Sequence, residues 1–396
     1  MEINVPNNLV NHYLKHTNLR ANNKGYTIVD IFRDFWDPFL KDNSHLNIRD
    51  DVFDNVNRML LCRTPELGYS FYDCPNCSNF WIAFNTCKSR FCNSCGVKYA
   101  KARSLTVNNV LLNCSHRHIT FTIPKSIQHY FRSDRRRLNL LFEAVNETLK
   151  YLFKRQGRIK DYQAGYILVL HTFGRALNFN AHIHCLISEG MIDKLGNFKV
   201  MKHFNYELLR KSFMKSLLDL LHKELGNGFY QEKCQLYKEN DQGFYVHAPN
   251  KSDDFKDHKK LVDYVLRYTG RPAMAQSRII LTYEDMVEYY YEPHEDDHLP
   301  DEEKEGRVIV TVHVYEFIKK LIIHIPNREF KTIRYYGLYS SKGRKRRKNF
   351  KRKVSYRNLH KPLKWRNLIY KTFKYDILKC ECGALMEYKR ESSYFP

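Results

Sequence analysis

The chain has 396 residues, a formal net charge of +23 and 14% aromatic residues. That length accommodates two or three domains with ample core, and the charge with the aromatic content is the footprint of a nucleic-acid binder. No run of about 18 apolar residues occurs, which excludes a helical membrane span, and the opening Met-Glu-Ile-Asn-Val-Pro-Asn-Asn lacks the basic and apolar regions of a secretory signal, so a cytoplasmic protein is expected.

In chain order, Ile28, Ile31, Phe32, Phe35 and Phe39, then Val52, Val56 and Leu60, recur at helical spacing and predict one or two amphipathic helices over 27–62. A cysteine-rich module follows, to about Tyr99. Arg117-His118-Ile119-Thr120-Phe121-Thr122-Ile123-Pro124 reads as a strand that proline ends. Residues 127–154 form a long helical pattern in which Leu138, Leu141, Phe142, Val145, Leu149 and Leu152 are apolar. Strands over 166–173 and 181–188 predict a hairpin. Further helical stretches cover about 206–225 and 256–268, the second stopped by Gly270 and Pro272. An acidic loop over 292–305, a strand over 308–314 and a basic tail from Lys342 complete the chain. Alternation of this kind predicts an α+β domain, an antiparallel sheet with helices against it.

Eleven cysteines, several in pairs, favour metal binding over disulfides in a chain of this size. Cys74-Pro-Asn-Cys77 and Cys92-Asn-Ser-Cys95 form two C-x2-C pairs separated by 14 residues. Each pair suits one tight knuckle, so Cys74, Cys77, Cys92 and Cys95 are expected to hold one structural Zn²⁺. Cys87 is a fifth candidate and Cys62 a weaker sixth. Cys380 and Cys382 form only a C-x-C, which by itself makes no site. Lys88, Arg90, Lys98, Lys101 and Arg103, interleaved with Phe91 and Tyr99, suit a DNA-contacting face.

In Phe179-Asn-Ala-His182-Ile-His184-Cys-Leu-Ile187, strand alternation points His182 and His184 to one face while Ile183, Cys185 and Ile187 face the core. Paired imidazoles suit a divalent ion, and a hard cation such as Mg²⁺ or Mn²⁺ needs a third protein ligand. His171 is the best candidate: a turn centred near Leu177 brings it opposite residues 182–184, whereas a one-residue slip would send it to the other face. His118 and Gln276 are weaker candidates. Tyr264 and Tyr268, at i and i+4, share a helix face. Their hydroxyls become competent nucleophiles where a metal polarises a phosphate. With 28 tyrosines in the chain, such a pair also arises by chance or packs a core. The run 342–353 carries nine basic residues and suits sequence-independent phosphate contact.

Several separated blocks together resemble the rolling-circle insertion-sequence transposases of the IS-ninety-one type, which carry a His-hydrophobic-His (HUH) nuclease domain. These blocks are Cys62-Arg-Thr-Pro-Glu-Leu-Gly68 with the cysteine pairs and Thr86-Cys87-Lys-Ser-Arg90, then His118-Ile-Thr-Phe-Thr-Ile-Pro124 and His171-Thr-Phe-Gly174 with His182-Ile-His184. Tyr264-Val-Leu-Arg267-Tyr268-Thr-Gly-Arg271-Pro, Arg278-Ile279, Ile333-Arg-Tyr-Tyr-Gly337 and Cys380-x-Cys382-Gly383 continue the likeness. The chain departs in the Asn-Ser inside its second cysteine pair, where the family commonly has Pro and a basic residue. The resemblance implies His182 and His184 as metal ligands and Tyr264 and Tyr268 as nucleophiles. It further implies 5′-phosphotyrosine intermediates, and as partners single-stranded element ends and target DNA in a bacterial cytoplasm. Arg267, Arg271 and Arg278 are expected to grip the scissile strand. The expected organisation is a helical segment (1–61), a small zinc-binding domain (62–104), an HUH nuclease domain (105–290) and a basic C-terminal region (291–396). A replication initiator or relaxase would share the chemistry; a non-cleaving zinc-dependent DNA-binding regulator is the alternative of another class.

Overall fold

The computed structural model describes residues 26–156, 162–201, 203–248, 273–293, 306–350 and 363–392. The fold is α+β with antiparallel sheets. The chain forms two compact units, and neither is continuous in sequence. One comprises Met1–Cys95, Met274–Lys319 and Phe373–Pro396; the other comprises Gly96–Ala273 and Lys320–Thr372. The four consecutive segments expected from the sequence therefore do not map one-to-one onto these units: the region after 290 contributes to both.

The second unit is built on a mixed-length antiparallel sheet. Its principal elements are strand β1 (His116–Thr122), helix α1 (Leu138–Gln156), strands β2 (Gln163–Phe173) and β3 (Phe179–Ile192), helix α2 (Tyr206–Leu225), and the short strands β4 (Val246–His247) and β5 (Ile333–Gly337). The strand order is β5-β2-β3-β1-β4, so the predicted hairpin β2–β3 lies at the centre. One sheet face carries Ile119, Phe121, Leu168, Leu170, Ile183, Cys185 and Ile187. It buries them beneath Leu141, Phe142, Val145, Leu149 and Leu152 of α1 and Phe213, Leu217 and Leu221 of α2. Phe121 and Phe213 meet edge-on with centroids 5.2 Å apart. Each such fully buried side chain contributes about 1.5–3 kcal/mol. The opposite face packs Ile167, Val169 and Leu186 against Val107, Leu111, Leu338 and Tyr339 at one end and leaves its other end for histidines.

The hairpin turn fixes the register. Leu177 takes a left-handed conformation, φ +63°, uncommon for a branched residue. Its side chain is buried, its N–H donates to the Gly174 carbonyl (3.2 Å), and Gly174 N–H donates to Asn178 O (3.0 Å). His171 then stands directly opposite His182, as the predicted turn requires.

In the first unit, helix Ile28–Asp42 starts with a capping box in which Thr27 and Asp30 satisfy each other's backbone N–H groups. Trp36, rather than the expected Phe35, joins Ile28, Ile31, Phe32 and Phe39 on its buried face. Helix Asp50–Leu60 follows. Strands Tyr69–Asp73 and Phe80–Phe84 form a hairpin to which Glu387–Ser392 adds a third strand. A second three-stranded sheet consists of Ile279–Tyr283, Met286–Tyr291 and Val308–His313. The predicted helix over 256–268, with Tyr264, Arg267 and Tyr268, lies outside the described residues. So do Arg271, most of the acidic stretch and Lys351–Lys353. Within the rest of the basic run, Arg347 is buried and donates Nη1–H to the Leu338 carbonyl at 2.8 Å. It is a structural arginine and not the expected phosphate contact.

Candidate metal centre and cysteine clusters

Alternation along β3 puts His182 and His184 on the sheet face opposite the helices. The β2 and β1 partners complete the cluster: His171 pairs with His182, and Thr120 with His184, while His118 lies two residues before Thr120 on the same face of β1. The ligand atoms of His171, His182 and His184 lie within 4.8 Å of one another. His182 Nε2 and His184 Nε2 are 3.0 Å apart. That is the edge of an octahedron with metal–ligand bonds of about 2.1 Å.

The other ring nitrogens are engaged. His182 Nδ1 is 2.8 Å from the Asn180 carbonyl oxygen, a contact that makes Nδ1 the protonated nitrogen and frees Nε2 to bind an ion. His184 Nδ1 is 2.7 Å from His118 Nε2, with the two rings stacked at 4.9 Å. His118 thus sits behind His184, as an orienting partner and not as a first ligand. Gln128 secures the start of β3: its Oε1 accepts from Ala181 N–H (2.8 Å) and its Nε2 donates to Asn180 Oδ1 (2.9 Å). Neither the His118 contact nor Gln128 was readable in advance, because both depend on pairing across strands and helices remote in sequence. Burial lowers all four imidazole pKa values: His171 and His184 well below their ordinary range, His182 less so, and His118 to about 4. The rings are therefore neutral at physiological pH, the state a metal requires.

Gln276 belongs to the other unit, where its Oε1 accepts from Ile28 N–H at 2.9 Å and so caps a helix. Arg278, half-buried at the end of the 3-10 turn Gln276–Arg278, is in that same unit.

The cysteines group differently from the sequence expectation. Cys62, Cys87, Cys92 and Cys95 converge, with Sγ–Sγ separations of 3.7 Å (62–95), 3.6 Å (87–95) and 3.8 Å (62–92). A tetrahedron of Zn–S bonds of about 2.3 Å has edges of about 3.8 Å, so these four fit zinc. Cys74 and Cys77 are not among them. They occupy the loop that joins Tyr69–Asp73 to Phe80–Phe84, while Cys62 and Cys87 flank the other end of that hairpin. Five residues of strand span roughly 17 Å, which keeps Cys74 and Cys77 away from Cys92 and Cys95. The single site of Cys74, Cys77, Cys92 and Cys95 is thereby corrected: the two C-x2-C pairs belong to different clusters. Cys74 and Cys77 meet Cys380 and Cys382 instead.

Residues 165–348 match a family described as a putative transposase, and residues 31–123 match a transposase zinc-binding domain of the IS-ninety-one type. The chain belongs to the IS-ninety-one type of transposase. Among relatives of this transposase, that of insertion sequence element IS801 from Pseudomonas savastanoi pv. phaseolicola is 29% identical over 313 residues, 74% of this chain and 72% of its own. A putative transposase, y4qJ, from Sinorhizobium fredii (strain NBRC 101917 / NGR234) is 26% identical over 339 residues, 82% of each chain. No solved structure matches the chain. The putative-transposase match contains His171, His182 and His184, and the zinc-binding match contains Cys62 to Cys95. Membership in this family makes DNA the partner of the transposase. Among the described residues no helix is long and apolar enough to cross a membrane.

Proposed function

We propose that this transposase nicks and rejoins single-stranded DNA at element ends by tyrosine attack, in rolling-circle-type transposition. The observation that carries the reading is the cluster of three histidines on one face of the central hairpin, inside the region that matches a putative transposase. His171, His182 and His184 would hold Mg²⁺ or Mn²⁺ through imidazole nitrogens, with His118 and the Asn180 carbonyl orienting two of the rings. Once bound, the ion would polarise the scissile phosphate and offset charge that develops on its oxygens.

Tyr264 and Tyr268 are the proposed nucleophiles. The phenol oxygen of one attacks phosphorus; the P–O3′ bond breaks, the 3′ oxygen leaves as a hydroxyl after taking a proton, and the 5′ phosphate stays on tyrosine. The reverse attack by a 3′ hydroxyl restores a phosphodiester without ATP, since the linkage conserves the bond energy. Two tyrosines permit two successive transfers, one for the donor end and one for the second end or the target. Arg267, Arg271 and Arg278 are proposed to hold strand phosphates, and the cysteine-rich module to contribute to end recognition.

Incubation of the full chain with Mg²⁺ and an end-labelled single-stranded oligonucleotide is expected to give a covalent protein–DNA adduct. Tyr264→Phe with Tyr268→Phe should abolish it. His182→Ala with His184→Ala should abolish adduct while oligonucleotide binding persists. Full adduct from the double tyrosine variant would eliminate those residues as nucleophiles, and a non-cleaving DNA-binding regulator would give no adduct from wild type.

A further inference from the structure

The proposed tyrosine chemistry uses none of Cys74, Cys77, Cys380 and Cys382, and two of them fall beyond the matched zinc-binding region. Their sulfurs nevertheless converge from opposite ends of the sequence. Cys74 Sγ is 3.5 Å from Cys382 Sγ, and Cys77 Sγ is 3.7 Å from Cys380 Sγ, the latter pair 303 positions apart in the chain. A disulfide joins two sulfurs; four at tetrahedral-edge spacing about one point match the donor set of a metal.

The tail supplies a turn shaped for this. Cys380 N–H donates to the Ala384 carbonyl and Gly383 N–H to the Cys380 carbonyl, both at 2.9 Å. Gly383 has φ +90°, which glycine adopts without strain. The tight C-x-C spacing is thus accommodated by a hydrogen-bonded knuckle followed by glycine. Across from it, the loop Cys74–Cys77 closes the Tyr69–Asp73/Phe80–Phe84 hairpin. Donors also point at the sulfurs: Asn76 N–H at Cys74 Sγ (3.4 Å) and Asn79 Nδ2 at Cys380 Sγ (3.8 Å). Such N–H···S contacts are the outer hydrogen bonds that orient sulfur ligands around an ion.

We infer that these four cysteines form a second structural zinc site, distinct from the Cys62/Cys87/Cys92/Cys95 cluster, that fastens the C-terminal tail to the N-terminal hairpin. Binding releases the thiol protons and leaves a tetrathiolate with no open position, so the site is structural and not catalytic. It lies at one end of the three-stranded sheet whose edge strand, Glu387–Ser392, pairs with Tyr69–Asp73. The ion therefore anchors the only tail strand in that sheet among the described residues. Because the unit is assembled from discontinuous segments, such a fastening opposes the chain entropy that would release the tail. None of this rests on the proposed strand-transfer chemistry.

Cobalt substitution distinguishes thiolate sites from the histidine cluster, because only sulfur ligands give intense thiolate-to-cobalt charge transfer. Full-length protein carrying His182→Ala and His184→Ala, stripped and titrated with Co²⁺, should show charge-transfer absorption that saturates at two equivalents per chain. Adding Cys380→Ser and Cys382→Ser should halve that absorption and lower the endpoint to one. Saturation at one equivalent in the chain with all cysteines intact overturns the proposal, as does an undiminished band in the tail variant. Should the tail variant fail to fold, the endpoint of the chain with intact cysteines decides alone.

Discussion

His324 shows how a single side chain can support the histidine cluster without belonging to it. Its Nε2 is 3.1 Å from the Leu177 carbonyl at the hairpin turn, and its Nδ1 is 3.2 Å from Thr172 Oγ1, next to His171. Burial lowers its pKa from 6.5 to about 3. Below about pH 6.5 the unfolded chain takes up a proton here that the folded chain refuses until about pH 3. The stability linked to this residue is therefore complete above pH 6.5 and is lost as pH falls through that window. His118, lowered to about 4, acts with the same sign. Urea midpoints of metal-free protein should drop between pH 7.5 and pH 5, and His324→Gln should drop less. An equal drop in that variant would show that His324 does not contribute. The His182/His184 alternation was legible because a period of two survives in sequence. The orienting contact from His118 was not, since it joins residues 66 apart on different strands.

At the level of elements, the β2–β3 hairpin decides which face His171 occupies. Leu177 is held at φ +63° with its side chain buried, so turn length and register are coupled. Deleting one residue between Gly174 and Asn178 would shift β2 against β3 by one step. His171 would then leave the face of His182, or the core residues Leu168 and Leu170 would be driven out of theirs. A deletion variant is expected to lose high-affinity Mn²⁺ binding by calorimetry and to unfold at a lower temperature. Unchanged affinity would remove His171 from the ligand set. The hairpin could be read from its alternating pattern and its turn. The cysteine pairing could not: paired spacing identifies knuckles, but which knuckles share an ion depends on the hairpin between them and on a strand contributed from the tail.

For the molecule as a whole, a net charge of +23 governs how the transposase meets DNA. Counterion release should weaken binding to a single-stranded oligonucleotide roughly tenfold or more between 50 and 200 mM salt, as expected for several phosphate contacts. Within the basic run, Arg344 and Lys345 are exposed whereas Arg347 is buried against the Leu338 carbonyl. Replacing Arg344 and Lys345 with alanine should flatten the salt dependence at unchanged thermal stability. Arg347→Ala should instead lower the melting temperature, since it leaves a buried acceptor without its donor, at a cost of about 1–3 kcal/mol. Equal effects from both substitutions would contradict this division of the run. Composition indicated the polyanionic partner, yet charge counting alone could not separate a structural arginine from the solvent-facing ones.

Mass spectrometry of the peptide left on DNA identifies the nucleophile outright. After reaction of wild-type protein with a single-stranded element end and Mg²⁺, digestion should yield a nucleotide-modified peptide with the 5′ phosphate on Tyr264 or Tyr268. Attachment at any other residue, or strand cleavage that leaves no protein-linked phosphate, would rule out strand transfer through this tyrosine pair.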